Sequence, residues 1–151
     1  MQKIIAVLVL AGVASASFAQ QTLKPEEMIK FRKAGYSFMS WNMGKIKANL
    51  DGTFNKDQVI AAANLVAATA NSGMGALYAP GTDKDVAGEK TRLKSEFFQQ
   101  PDKVKELAMN FSKEANELAK VAATGDVAAI KAQFGKTGGA CKACHEEFRK
   151  D

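Results

Sequence analysis

The residues best equipped for chemistry stand almost at the end of the chain: Cys141, Lys142, Ala143, Cys144 and His145. Two cysteines separated by two residues can each form a thioether to one vinyl group of a haem. A histidine directly after the second cysteine is then held under the iron. The spacing predicts covalent c-type haem attachment, with His145 as an axial iron ligand. His145 is the only histidine of the chain, and Glu146 to Asp151 contain no methionine, so any second axial ligand must come from far upstream.

The same residues have other uses. Two cysteines in an exported chain can form a disulfide, and a Cys-x-x-Cys pair can be a redox dithiol. Thioredoxin-like pairs, however, sit early, after a strand in an alternating pattern of strands and helices, whereas this pair ends a helix-rich chain. A structural zinc ion needs a fourth ligand, and no further Cys or His exists.

Four helical segments have to position the motif. The first opens at Pro25 with Glu26 and Glu27 beside the positive end of the helix dipole, and ends at Asp51-Gly52. Its inward stripe is expected to be Met28, Phe31 or Arg32, Tyr36, Met39, Met43, Ile46 and Leu50. The second starts after Asn55, with Gln58 as capping-box partner, runs through Val59, Ala62, Ala63, Val66 and Ala70, and stops at Asn71-Ser72-Gly73. From Gly73 to about Gln100 the helical pattern gives way to a long connection with a short turn around Leu93 to Phe98, of a kind that often lines sites. Pro101-Asp102 restart a helix with the stripe Val104, Leu107, Phe111, Ala115, Leu118 and Val121. Asp126 caps the last helix, whose inner face carries Val127, Ile130, Phe134, Cys141, Cys144 or His145, and Phe148. Gly138-Gly139 lie inside that helix although each glycine costs about 1 kcal/mol there relative to alanine. Either they let a flat macrocycle approach the backbone, or they simply loosen the helix. With no strand-like alternation, the fold class expected is all-α, an antiparallel four-helix bundle with covalent haem near the C-terminus.

At the other end, Lys3, the apolar run Ile4 to Val13 and the exit Ser17-Phe18-Ala19 have the layout of a secretory signal peptide spanning residues 1–19. The apolar run is short for a bilayer span, so the product after signal removal, residues 20–151, is expected to be a single domain without a membrane anchor, in the periplasm. A cut after Ala16 is the alternative. The formal charge of +5 falls to +4 when Lys3 is removed. The lysines lie along polar helix faces without interleaved exposed aromatics, which argues against a nucleic-acid surface. No paired carboxylates suit hydrolysis and no glycine-rich loop follows a strand, so hydrolase and nucleotide chemistry have no footing. A peroxidase would need a polar distal group such as histidine, and the one histidine is already used, so no enzyme activity is expected.

Taken together, these residues resemble the class II c-type cytochromes, and within them the cytochrome c′ family. The resemblance rests on FGKTGGACKACHEEFRK (Phe134 to Lys150), KPEE (Lys24 to Glu27), FRKAGYSFM (Phe31 to Met39) and YAPGT (Tyr78 to Thr82). It implies one haem c per chain with five-coordinate iron on His145, and Tyr36 as the bulky residue covering the opposite face. It further implies Arg32 near a haem propionate and Arg149 beside the proximal face. Binding of nitric oxide and carbon monoxide, exclusion of oxygen, protection from nitric oxide and a homodimer built on the first two helices are also implied. Recurring small residues, Ala61 to Ala63 and Ala67 to Ala70, suit such a close interface. The redox partner is not identified by the resemblance. The residues themselves leave two alternatives open. Tyr36 can be a core tyrosine with a satisfied hydroxyl. Met28, Met39 or Met43 can supply a sixth ligand, making the chain a six-coordinate electron-transfer cytochrome, or can be core filler.

Overall fold

Each helix begins where the sequence supplies a start signal. Residues 23–151 are described by the structure, a computed structural model, and the segment expected to be a signal peptide lies outside them. Helix α1 (Pro25–Asp51) opens on its proline, and the Glu27 carboxylate accepts the Lys24 backbone N–H at 2.8 Å. Helix α2 (Lys56–Ala70) is capped by Asn55, whose side chain accepts the Gln58 N–H at 3.1 Å. The reciprocal half of the expected capping box is absent. Instead the Asn55 N–H donates to Asn49 Oδ1 at 2.8 Å and Gln58 Oε1 accepts from Asn49 Nδ2 at 3.3 Å. Asn49 belongs to the last turn of α1, so the cap also fastens the α1–α2 corner. Helix α3 (Pro101–Thr124) ends at Gly125, where φ of +79° favours glycine. Asp126 then caps α4 (Val127–Phe148), accepting the Ala129 N–H at 3.0 Å.

Helix α4 runs unbroken through Gly138 and Gly139. Tertiary hydrogen bonds offset their poor propensity. Buried Gln133 and Thr137 both reach Glu114 of α3, with Gln133 Nε2 donating to its carboxylate at 2.7 Å and Thr137 Oγ1 to its carbonyl at 3.1 Å. Among the described residues no buried side-chain polar atom lacks a partner.

The core lies between α1, α2, α3 and α4, where Ile46, Val59, Ala62, Ala63, Leu118, Ala122 and Ile130 form one cluster and Met39, Val66 and Ala115 another. Several expected orientations differ. Where Phe31 or Arg32 was expected, Arg32 takes the buried position, with acceptors in Thr82 and Thr91, and Phe31 is 48% exposed. Ile29 and Asn42 join the buried face. Val127, expected inward, is exposed in the first turn of α4. Ala62, Ala63 and Ala67, expected to serve an interface between protomers, are consumed by this chain's own core.

Packing proceeds around the bundle from α1 to α2 to α3 to α4, but α1 and α4 hardly meet. The ring of helices is therefore open on one side. The long connection between α2 and α3 ties together the two elements flanking this gap. It contains 3-10 turns at Met74–Leu77 and Ser95–Phe98. Its later part pairs with the chain end: Lys94 N–H donates to the Phe148 carbonyl at 2.9 Å and Lys150 N–H to the Arg92 carbonyl at 2.7 Å. No helix among the described residues is long and apolar enough to cross a membrane.

Candidate haem site

Cys141 and Cys144 sit one turn apart near the end of α4, both half-buried and both free thiols. Burial pushes both thiols above their ordinary pKa, and for Cys141 the neighbouring Cys144 adds to the rise. A redox dithiol works through a lowered thiol pKa, so the environment runs against that use. His145 follows on the helix, exposed to solvent. Partial burial of its ring, then the positive charge of Arg92, hold the imidazole below its usual pKa. Arg149 is the extended residue that caps α4, and its Nη1 lies 3.4 Å from His145 Nδ1. At that distance the contact is mainly electrostatic. The guanidinium lies on the Nδ1 side of the ring, away from Nε2.

A cavity of about 940 Å³ opens here, lined along α4 by Gly138, Cys141 and His145 and across it by Arg92, Lys94 and Arg149. A Cβ built on Gly138 would meet nothing within 4 Å, so the wall at this position is bare backbone next to open space. Such a wall accepts a flat group at close range. The residues present fit haem c: two free thiols at the right spacing, an accessible imidazole, a side-chain-free wall and a cationic mouth suited to acidic substituents.

Across from the thiols stands α1. Tyr36, expected on the inward stripe, is 41% exposed. Desolvation raises the Tyr36 pKa, and accepting a hydrogen bond from the Tyr78 hydroxyl at 3.2 Å offsets part of that rise. Tyr78 is pushed up further, by desolvation first and then by Tyr36. One turn before Tyr36, Arg32 is buried and donates to Thr82 Oγ1 at 2.7 Å, to the Thr82 carbonyl, to Thr91 Oγ1 at 2.6 Å and to the Leu77 carbonyl at 3.4 Å. Its guanidinium also lies 4.8 Å from the centre of the Tyr78 ring. Burial lowers its pKa. All four terminal N–H groups of Arg32 are thus committed to the long connection, and only its Nε–H remains for another acceptor.

The structure brings Cys141, Cys144, His145 and Arg149 together at the end of α4, and Tyr36 lies on α1, bonded to Tyr78 of the long connection. Arg32 is an anchor of the long connection. Met39 packs against Val66 and Ala115, and Met43 touches both core clusters. Sequence reasoning passed over Tyr78, Thr82, Thr91, Arg92 and Phe97. The YAPGT segment held the only local signal for the first two, and Thr91, Arg92 and Phe97 carried none, because their roles depend on contacts with α1 and the end of α4.

Similarity to known proteins agrees with this geometry. A sequence profile for the family described as Cytochrome C' matches residues 27–149. Cytochrome c′ of Allochromatium vinosum is 58% identical over 94% of this chain and 92% of its own length. The Rhodocyclus tenuis cytochrome c′ is 56% identical over 84% of this chain and 96% of its own. The crystal structure of cytochrome c′ from Thermochromatium tepidum superposes with a TM-score of 0.85 at 60% identity, covering 87% of this chain and 100% of that one. A second solved cytochrome c′, described as having an unusual ligand-controlled dimer dissociation, matches with the same TM-score, identity and coverage. With its haem-binding wall at the end of a four-helix bundle, the chain belongs to the cytochrome c′ family and takes haem c as its cofactor.

Proposed function

We propose that the chain is a periplasmic haem protein that binds nitric oxide and carbon monoxide at five-coordinate iron and protects against nitric oxide, without enzymatic turnover. Cys141 and Cys144 tether the group, His145 ligates the iron from one side, and Arg149 flanks the imidazole. The bound haem supplies the gas-binding and redox chemistry. On the opposite side Tyr36 excludes ligands by bulk, so that only a small molecule able to displace its ring gains access. Arg32 keeps one N–H for a propionate while bracing the connection beside the site. What supports this reading is that Tyr36 is tied through Tyr78 to the long connection beside the motif, while Met39 and Met43 pack into the core.

A homodimer belongs to the same proposal. Its support is the relative whose dimer dissociates under ligand control, together with an exposed stripe on α1 of Phe31, Phe38 and Trp41. The absorption spectrum in both oxidation states tests the iron assignment. High-spin iron, unchanged by Met28→Leu, Met39→Leu or Met43→Leu, is expected. Low-spin iron that becomes high-spin in one of these variants would replace the gas-binding reading with a six-coordinate electron carrier.

A further inference from the structure

Tyr36 is poorly held by its own surroundings, because 41% of its surface is open. Tyr78 is the opposite case. Its ring stacks on Phe97 with centroids 4.5 Å apart and planes at 19°, and the Arg32 guanidinium lies 4.8 Å from its centre. Phe97 in turn meets the edge of Phe148 at 5.5 Å, and Phe148 is 3% exposed at the end of α4. The backbone beside these rings is clamped by the bond from Lys94 N–H to the Phe148 carbonyl. Tyr78 is therefore held directly by α1 and by the turn Ser95–Phe98, and that turn is itself seated on the end of α4. From this rigid seat its hydroxyl donates to the Tyr36 oxygen at 3.2 Å.

We propose that Tyr78 is a latch: a positioning residue that holds the Tyr36 ring closed over the open side of the iron through the hydroxyl–hydroxyl bond. The inference rests on the proposed distal role of Tyr36. A ligand that displaces the ring must break the bond, so its strength adds to the barrier to entry. A typical hydrogen bond between neutral groups corresponds to roughly 3- to 10-fold in an equilibrium or rate. The ring of Tyr78 would remain stacked without its hydroxyl, so Tyr78→Phe removes the latch and leaves the frame in place.

The test uses the ferrous holoprotein and carbon monoxide, with association rates measured for the wild type, Tyr78→Phe, Tyr36→Phe, the double variant and Tyr36→Ala. Each Tyr→Phe single variant should bind about 3- to 10-fold faster. The double variant should be no faster than either single one, because both delete the same bond. A purely structural role for Tyr78 would instead make the two effects multiply, and that result, or an unchanged Tyr78→Phe rate, overturns the latch. If Tyr36→Ala binds faster while Tyr78→Phe does not, only the latch fails. If Tyr36→Ala leaves the rate unchanged, the distal role of Tyr36 fails and the latch with it. An independent readout is the ultraviolet resonance Raman doublet of tyrosine, which reports hydroxyl bonding. The latch requires the doublet to change when carbon monoxide binds to the wild type and to remain unchanged in Tyr78→Phe; a silent wild-type doublet contradicts it.

Discussion

The thiols, the imidazole and one buried guanidinium carry most of the consequences at the scale of single residues. Cys141→Ala combined with Cys144→Ala should abolish the red colour that otherwise survives extraction with acidic acetone, and pigment that extracts freely from the unaltered protein would exclude thioether attachment. Arg32 has a separate importance. Its removal strands the Thr82 and Leu77 carbonyls and frees the connection from α1. Charge-assisted bonds and stranded buried acceptors are each worth about 1–3 kcal/mol, so Arg32→Ala should lower stability by roughly 3 kcal/mol in denaturant unfolding. Tyr78 adds a dependence on pH. Its phenol is raised far above the ordinary value of about 10, so the native state keeps a proton that the unfolded chain loses. Its contribution is complete below the unfolded pKa and declines as pH rises above it. Wild-type stability should therefore fall more steeply above about pH 10 than that of Tyr78→Phe, by up to about 1.4 kcal/mol per pH unit. Parallel curves for the two proteins would contradict this assignment.

Helix α4 shows at the scale of an element how propensity yields to a site. Gly135, Gly138 and Gly139 would each accept a Cβ without a clash, and in an ordinary helix each replacement by alanine gains up to about 1 kcal/mol. Gly135 lies apart from the cavity lining, whereas Gly138 forms part of it. Gly135→Ala should accordingly stabilise the holoprotein, while Gly138→Ala should gain less or lose, because the added methyl points at space the macrocycle needs. Equal gains in thermal unfolding for both variants would show that the wall has no part in holding the cofactor. The long connection acts as a second element of the site. It gathers Arg32, Tyr36 and the end of α4 into one assembly, although its own regular structure is two short turns.

For the whole molecule, the open side between α1 and α4 and the exposed outer stripe of α1 have separate uses. On the proposed reading, the gap is where the haem would complete the ring of helices. On the outer face, contrary to the expectation that no exposed aromatics interleave with the lysines, Phe38 and Trp41 stack 5.5 Å apart and remain 50% and 57% exposed, with Lys45 Nζ 4.3 Å from the Trp41 ring centre. Clustered exposed aromatics are characteristic of interface cores. Sedimentation at micromolar concentration should show a dimer, and Trp41→Glu should shift it to monomer with the haem spectrum unchanged. A wild-type protein that sediments only as monomer would remove the homodimer from the proposal.

Helix limits and the haem-binding motif were legible in the sequence because both are local. Pro25, Asn55, Pro101 and Asp126 start helices through contacts within one turn, and Cys141, Cys144 and His145 are placed by a spacing that any helix preserves. The tertiary structure alone decided which side of α1 faces inward at Phe31 and Arg32. Periodicity allows either residue, and the acceptors that favour Arg32 come from Thr82 and Thr91, 50 and 59 positions away. Likewise, alanines of α2 could serve a core or an interface until α1, α3 and α4 closed around Ala62 and Ala63. Tyr36 and Tyr78 are 42 positions apart, and their hydroxyl bond exists because the connection folds back over α1. Local physics determined where the helices and the Cys-x-x-Cys-His segment lie; long-range packing decided which side chains stand around that segment.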